Sequence, residues 1–123
     1  MKDHICILIV DADEKSQTFI STLLGAYELT IWQSRNTDEA LKALDEHRFG
    51  LILLDLAGNA VDPYSVLRFM KKRKITTPVI ALTDRPVANE HLDASLVRGV
   101  VRKPLIAGEL IRPALASAGK KIR

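Results

Sequence analysis

Short apolar runs alternate with segments of helical periodicity along the chain. Three of these runs, at residues 5–10, 51–54 and 78–82, are apolar at nearly every position. Such runs are typical of strands in the middle of a parallel sheet, where helices cover both faces. Shorter runs at residues 29–32 and 100–101 predict flanking strands. The pattern therefore indicates five strands.

Each predicted strand is followed by a segment with apolar residues at helical spacing, which predicts five helices. Alternation of strands and helices is typical of βα units, and their crossovers are right-handed. Five such units predict an α/β fold with a doubly wound, parallel five-stranded sheet. In chain order the helical stripes comprise Phe19, Ile20, Leu23 and Leu24; Ala40, Leu41 and Leu44; Val66, Leu67, Phe69 and Met70; Leu92 and Leu96; and Leu110, Ile111, Ala114, Leu115 and Ala118.

Residues that start, stop or interrupt helices stand near the ends of these stripes. Gly25 is placed to cap the end of the first helix, and Thr37 begins the capping pattern of the second. Pro63 fits the first turn of the third helix, and Asn89 fits the cap of the fourth. Pro113 lies within the last stripe, where a proline removes a backbone hydrogen bond. Either the last helix kinks there or its regular part begins near that residue.

The length of 123 residues is that of one ordinary domain, so we expect residues 1–123 to form a single unit. Hydrophobic residues make up 47% of the chain and charged residues 27%, which excludes a disordered chain. No apolar run approaches the roughly 18 residues needed to cross a bilayer. The first run also lacks a signal-peptide cleavage site. The expected location is therefore the cytoplasm.

Cys6 is the only cysteine, which excludes an intramolecular disulfide. Because it stands within an apolar run, we interpret it as a buried and inert thiol. One cysteine and three scattered histidines also give no structural zinc pattern.

The net charge of +3 is unevenly distributed along the chain. Residues 1–62 hold 11 acids and 5 bases, a net −6, whereas residues 63–123 hold 4 acids and 13 bases, a net +9. Such asymmetry indicates an acidic site, a basic partner surface, or both. The basic run at residues 71–74 ends the third predicted helix, where the helix dipole favours cations. We interpret it as a solvated helix end and expect no direct nucleic-acid binding.

Acidic, hydroxyl and amino side chains follow the predicted strands. Asp11 and Asp13 follow the first strand, Asp55 the third, Thr83 the fourth and Lys103 the fifth. Ligands of doubly wound sheets bind outside the carboxyl ends of the strands, where these side chains would meet. Carboxylates suit a hard divalent cation such as Mg²⁺, and Asp55 is placed to act as a nucleophile that forms an aspartyl phosphate. The hydroxyl and the amine are suited to hold phosphoryl oxygens.

In this order and at these strand ends, four segments resemble those of the response-regulator receiver domains of two-component signalling. They are residues 7–11, 51–56, 78–83 and 102–104, and the likeness covers essentially the whole chain. The resemblance implies a flavodoxin-like, CheY-like (βα)5 fold and a phosphorelay signalling module rather than an enzyme. It also implies that a histidine kinase or phosphotransfer protein phosphorylates a central aspartate, with Mg²⁺ present.

The resemblance implies a role for each residue that matches the family's motif. Asp55 is the phosphoacceptor, Thr83 is the switch hydroxyl, and Lys103 is the lysine that binds the phosphoryl group. The expected metal ligands are Asp11, Asp55 and the backbone carbonyl of Ala57. A homodimer through the last strand and the last helix is a further expectation.

Several positions depart from the family's pattern. Ala12 replaces the second acid of the usual pair, and the loss of a carboxylate predicts weak Mg²⁺ binding. Asp13, one residue further on, is either a substitute ligand or the N-cap of the first helix. The loop at residues 56–63 lacks the usual Pro-Gly turn. Asp84 adds negative charge beside the switch hydroxyl, and Val100 stands where an aromatic switch residue is usual.

These departures leave three hypotheses for the function. The first is a phosphoacceptor switch that operates through Asp55. The second is a degenerate pseudo-receiver, which acts independently of phosphorylation as a protein-interaction or dimerisation module. The third and weakest is a flavodoxin-like binder of a small anionic cofactor. The acids at residues 11–13 and the lack of a Gly-rich phosphate loop disfavour it.

Overall fold

In a computed structural model that describes residues 5–57, 59–84 and 92–119, the chain forms one five-stranded sheet between two layers of helices. Neighbouring strands are all parallel, in the order β2-β1-β3-β4-β5, which confirms the predicted doubly wound α/β sheet. The strands are β1 (Ile5–Val10), β2 (Leu29–Ser34), β3 (Leu51–Asp55), β4 (Val79–Thr83) and β5 (Val97–Arg102). The helices in the described residues are α1 (Glu14–Gly25), α2 (Thr37–Glu46), α3 (Pro63–Lys72) and α4 (Ala107–Ser117).

The hydrophobic core consists of two layers, one on each face of the sheet. Successive β1 residues alternate between them: Leu8 and Val10 pack with α2 and α3, whereas Ile7 and Ile9 pack with α1 and α4. Every residue of β3 and β4 is buried. This double cover explains the continuous apolar runs of the central strands, and it holds their carboxyl ends in fixed positions.

Two helix ends differ from the predicted ones. Asn36 is the N-cap of α2 and its side chain accepts a hydrogen bond from the Glu39 amide, so Thr37 is the first helical residue and not the cap. Asparagine is the better N-cap of the two, since its short amide reaches the first-turn amides readily. Gly25 is the last residue of α1, and Ala26 occupies the capping position.

The last strand and the last helix are both longer than their sequence patterns predicted. β5 extends from Val97 to Arg102. The apolar pattern predicted a shorter strand because Arg98 and Arg102 are exposed, charged residues that interrupt it. Pro113 lies inside α4, which begins six residues earlier, so the regular part of this helix does not start at the proline.

The predicted fourth helix, between β4 and β5, is wrong for the part that the structure describes. Its predicted cap, Asn89, lies outside the described residues, and residues 92–96 form a bend and a turn. The Asp93 carbonyl closes this turn by accepting hydrogen bonds from the amides of Leu96 and Val97. Leu96 is nevertheless buried in the core beside α3, so its apolar side chain marks the entry to β5 and not a helical stripe.

Two apolar side chains are less buried than their patterns predicted. Cys6 is only partly buried, and this burial raises the pKa of its thiol. Phe19 is 38% exposed on the surface of α1. Among the described residues, no helix is long and apolar enough to cross a lipid bilayer.

Candidate functional site

Four of the predicted site residues are carried to one edge of the sheet by the strands that precede them. Asp11 directly follows β1, and Lys103 directly follows β5. Asp55 is the last residue of β3, and Thr83 is the last residue of β4. Because all five strands are parallel, these ends lie together at the edge where doubly wound sheets bind ligands.

Asp11, Asp55 and Lys103 form a buried group that we call the carboxylate–lysine cluster. The Lys103 Nζ lies 2.8 Å from Asp11 Oδ2 and 3.5 Å from Asp55 Oδ1. The Asp11 side chain is fully buried, and only 15% of the Lys103 side chain is exposed. Two carboxylates therefore share one cation, which leaves the cluster with a negative charge when both are ionised.

The charges of this cluster shift the pKa values of its members. Burial, and then the charge of Asp11, raise the pKa of Asp55 to about 6. Burial by itself lowers the pKa of Lys103, but the hydrogen bond and the charge of Asp11 outweigh it and raise that pKa. Lys103 therefore stays protonated at neutral pH, and a second cation near Asp55 would favour its ionised form.

Backbone amides in the loops after β1 and β3 orient the two carboxylates. The Asp13 amide donates to Asp11 Oδ1 at 2.9 Å, and the Ala57 amide donates to Asp55 Oδ1 at 3.1 Å. Both contacts span two residues, as in turns that an aspartate side chain stabilises. The carboxylates are thus ordered by their own loops, which reduces the entropy that a ligand must remove on binding.

Asp13, for which two roles were predicted, caps α1. Its Oδ1 accepts a hydrogen bond from the Lys15 amide at 3.2 Å, and its Oδ2 accepts one from the Ser16 hydroxyl at 2.8 Å. The Ser16 hydrogen bond is the main cause that lowers the pKa of Asp13. Across the described ranges, no three His, Cys, Asp or Glu side chains are grouped to hold a metal ion.

The oxygen donors at the cluster still suit a hard cation. Asp11 and Asp55 present two carboxylates around a single lysine, and Ala57 adds a backbone carbonyl two residues after Asp55. Proteins commonly bind Mg²⁺ through one or two carboxylates, with waters completing its octahedral shell. These residues therefore fit Mg²⁺, although exposed Ala12 supplies no carboxylate at the position next to Asp11.

The pairing of β4 with β5 brings Thr83 to the backbone of Lys103. Thr83 is paired with Arg102, and the Thr83 carbonyl accepts a hydrogen bond from the Lys103 amide at 2.7 Å. Thr83 is buried, whereas Asp84 is exposed. Val100, which stands where the family has an aromatic residue, is 45% exposed. Thr83 thus adjoins the cluster, and the two atypical residues lie at the surface.

Sequence reasoning missed one buried polar residue beside the cluster. Gln17 is 1% exposed, and its Nε2 donates hydrogen bonds to the carbonyls of Asp11 and Ser34, at 2.8 and 3.0 Å. The signal was present in the sequence, because Gln17 lies on the same face of α1 as the buried Ile20 and Leu24. A polar residue in an apolar stripe indicates a buried hydrogen-bonding role.

A family model described as the response regulator receiver domain matches residues 7–114 of the chain. A curated protein of Bacillus subtilis (strain 168), named uncharacterized transcriptional regulatory protein YkoG, is 34% identical over 126 residues. The alignment covers 98% of this chain and 54% of YkoG, so the chain spans about half the length of that relative.

Solved structures share the fold at lower sequence identity. The chemotaxis protein CheY4 of Vibrio cholerae superposes with a TM-score of 0.81 at 18% identity, covering 94% of this chain and 99% of CheY4. The response regulator protein TrrA of Thermotoga maritima, solved in complex with Mg²⁺-BeF, gives a TM-score of 0.80 at 22% identity. That match covers 92% of this chain and 98% of the TrrA chain. These likenesses confirm the predicted flavodoxin-like, CheY-like fold.

Proposed function

Since the chain belongs to the response regulator receiver domain family of two-component signalling, we propose that it is a phosphoacceptor switch with Asp55 as the acceptor. The observation that supports this most is the carboxylate–lysine cluster. It places a buried carboxylate within 3.5 Å of the Lys103 ammonium, at the edge of the sheet where a ligand would enter. The nucleophile and a group that neutralises phosphoryl charge are thus already adjacent.

In the proposed step, a carboxylate oxygen of Asp55 attacks the phosphorus of a phosphohistidine on the donor protein. The new O–P bond forms as the N–P bond of the donor breaks, and the leaving imidazole takes up a proton. Lys103 then pairs with one phosphoryl oxygen, and the Thr83 hydroxyl donates to another. Mg²⁺ would neutralise the charge of the transferring group, and Asp11, Asp55 and the Ala57 carbonyl are the residues that would hold it.

We infer that Mg²⁺ binding is weak. Ala12 contributes no carboxylate, and both carboxylate oxygens of Asp13 accept hydrogen bonds from the first turn of α1. Ligand charge is a main determinant of the affinity of such sites, so one missing acid lowers affinity for a divalent cation.

The test is incubation of the protein with a small acyl phosphate and Mg²⁺, followed by intact-mass measurement. We expect a mass increase of one phosphoryl group in the wild type and none in Asp55→Asn. The matched control is Asp62→Asn, which removes an exposed carboxylate at the end of the same loop and should leave labelling intact. Absence of label under conditions that label an ordinary receiver, or label that survives Asp55→Asn, contradicts the proposal.

The second candidate is a pseudo-receiver that binds partners without phosphorylation. It is favoured by the absence, among the described residues, of a third acidic ligand at the cluster, together with the surface position of Val100. This candidate predicts that Asp55→Ala keeps the oligomeric state and the partner binding of the wild type. Loss of partner binding in a folded Asp55→Ala variant would favour the phosphoacceptor switch instead.

The proposed partners follow from the family. We propose that a histidine kinase or phosphotransfer protein supplies the phosphoryl group in the cytoplasm, and that residues 1–123 act as one signalling module and not as an enzyme. We also propose a homodimer through β5 and α4 that uses the exposed Val100, so Val100→Asp should lower the sedimentation coefficient. We expect no direct nucleic-acid contact from residues 1–123.

YkoG is named a transcriptional regulatory protein. In a longer chain of that kind, DNA binding would belong to another segment.

A further inference from the structure

All four hydrogen-bonding groups of Asp11 are engaged. Its amide donates to the Ser34 carbonyl at 3.0 Å, and its carbonyl accepts from Gln17 Nε2 at 2.8 Å. Its Oδ1 accepts from the Asp13 amide at 2.9 Å, and its Oδ2 accepts from Lys103 Nζ at 2.8 Å. The first two contacts fix the main chain of Asp11, and the other two fix its carboxylate.

Gln17 joins three elements at this point. Its side chain extends from the first turns of α1, and its Nε2 also donates to the Ser34 carbonyl, at the end of β2. The Ser34 carbonyl thus accepts from both the Asp11 amide and Gln17. The ends of β1 and β2 and the start of α1 are held together by one buried side-chain amide.

A glutamine at position 17 is expected to be less stabilising than an apolar residue in the same stripe of α1. Gln17 Oε1 has no hydrogen-bond partner within the described chain, and neither has the hydroxyl of Ser34. A buried and unpaired oxygen destabilises the folded state. Methionine has a similar length and would continue the stripe formed with Ile20 and Leu24, but it cannot donate a hydrogen bond to the Asp11 carbonyl.

We propose that Gln17 is a positioning residue, which fixes the Asp11 main chain so that the Asp11 carboxylate keeps its orientation toward Lys103. The orientation of the Asp11 carboxylate matters more here than in a site with two adjacent acids. Ala12 has no carboxylate that could replace it, and the Asp13 carboxylate caps α1. Without the Nε2 donor, the peptide group after Asp11 loses its side-chain partner and can rotate. Rotation moves the Asp13 amide away from Asp11 Oδ1 and releases the carboxylate.

The first test uses NMR on the protein without added metal, and it does not depend on phosphorylation. In Gln17→Met we expect the Asp11 carbonyl ¹³C signal and the Asp13 amide proton signal both to shift. Gln17→Asn, which keeps the amide but is one methylene shorter, should give the same shifts and serves if the methionine variant is poorly folded. A contact that is merely structural would move the Asp11 carbonyl signal alone, and an unmoved Asp13 amide would overturn the proposal.

The matched control is Thr77→Val. Thr77 Oγ1 donates to the Phe49 carbonyl at 3.0 Å, so this variant also removes one side-chain hydrogen bond to a backbone carbonyl, but near the amino ends of β3 and β4. It should leave the Asp11 and Asp13 signals unchanged.

The second test is a Mg²⁺ titration of the same proteins, and this arm rests on the proposed function. Since the loss of one hydrogen bond corresponds to about a threefold to tenfold change in a binding constant, Gln17→Met should weaken Mg²⁺ binding by that factor. Thr77→Val should match the wild type. An unchanged constant in Gln17→Met would overturn the positioning of Asp11 for the cation. A wild-type protein that does not respond to Mg²⁺ would contradict the proposed function. The shift of the Asp13 amide proton signal in the metal-free test would still decide the role of Gln17.

Discussion

The carboxylate–lysine cluster and the Arg73–Asp45 pair both join acidic and basic side chains, but in opposite surroundings. In the cluster, Asp11 and Lys103 are 0% and 15% exposed, whereas Asp45 and Arg73 are 49% and 52% exposed. Where water is removed, the charge of Asp11 adds to the effect of burial and raises the pKa of Asp55 to about 6. Where water remains, solvent screens the attraction, and such pairs contribute little to stability. Burial, more than the number of charges, therefore shifts the pKa of a carboxylate at one edge of the sheet.

The Arg73–Asp45 pair lies at the opposite edge of the sheet from the cluster, beside the loops that precede β3 and β4. The Arg73 guanidinium lies 4.8 Å from the centroid of the Phe69 ring, and a cavity of about 650 Å³ opens between the loops that precede β3 and β4. The basic residues Lys71 and Lys72 occupy the last turn of α3, as expected for a helix end whose dipole favours cations. The acidic and basic halves of the sequence therefore do not form two separate charged regions in the folded chain. Lys103 from the basic half lies among acids from the other half.

The largest predicted effect comes from removing the cation of the cluster. Lys103→Met leaves Asp11 and Asp55 buried without their shared partner, and breaking one side of a buried ion pair typically costs about 3 kcal/mol or more. Urea unfolding at pH 7.5 should show this loss in the free energy of unfolding. The loss should shrink toward pH 5, because a protonated Asp55 no longer needs the cation. A loss of equal size at both pH values would contradict the buried-charge explanation.

The next largest effect has the opposite sign. The folded-state pKa of Asp55, about 6, lies above the ordinary value of 3.8, so the folded state binds this proton more tightly than the unfolded state. The stability that this proton contributes is full below about pH 4 and is lost as the pH rises through about 6. Asp55→Asn cannot ionise and should therefore be more stable than the wild type at pH 7.5, by roughly 2 to 3 kcal/mol, and about equally stable at pH 4.

The control for this pH dependence is Asp62→Asn. Hydrogen bonds from Ser65 lower the pKa of Asp62, so its ionised form favours folding. Removing this charge should lower stability at pH 7.5, in contrast to the gain in Asp55→Asn. A gain in both variants would show a general effect of net charge instead of a local effect of burial.

The carboxylate–lysine cluster could be predicted from sequence because its geometry follows from strand ends. Once residues 5–10 and 51–54 are recognised as buried parallel strands, Asp11 and Asp55 must lie at one edge of the sheet. Lys103 follows by the same reasoning from the last strand. No side-chain detail is needed, because the pairing of parallel strands fixes these positions within a few ångströms.

The features that sequence did not reveal depend on contacts between distant elements. Gln17 reaches the end of β2 only after α1 has packed on the sheet, and nothing near it in sequence specifies Ser34 as its partner. The predicted fourth helix is replaced by a single turn that closes on the Asp93 carbonyl, because the chain enters β5 at Val97 and no second helical turn can follow. For Asp13, the sequence is compatible with either a cap or a metal ligand, and the structure shows the capping hydrogen bonds to Lys15 and Ser16.

A smaller effect is expected from restoring an acid beside Asp11. Ala12→Asp adds a carboxylate at an exposed position next to the cluster, and the extra ligand charge should strengthen Mg²⁺ binding by about tenfold. A Mg²⁺ titration that follows the amide signals of Asp13 and Ala57 measures this change. Glu14→Gln, which removes an exposed acid in the first turn of α1, controls for the general charge of the region. If Ala12→Asp binds Mg²⁺ no better than the wild type, the missing acid is not what limits affinity.

The smallest effect should come from the exposed pair. Arg73→Gln and Asp45→Asn, alone and combined, form a double-mutant cycle whose coupling energy we expect to be below about 0.5 kcal/mol at 0.15 M salt. Arg73→Gln by itself should cost slightly more than Asp45→Asn, because it also removes the contact with the Phe69 ring. The remaining coupling should vanish at 1 M salt, where the screening length is about 3 Å. A coupling energy near that of the buried cluster would mean that proximity of opposite charges, and not the exclusion of water, separates the two regions.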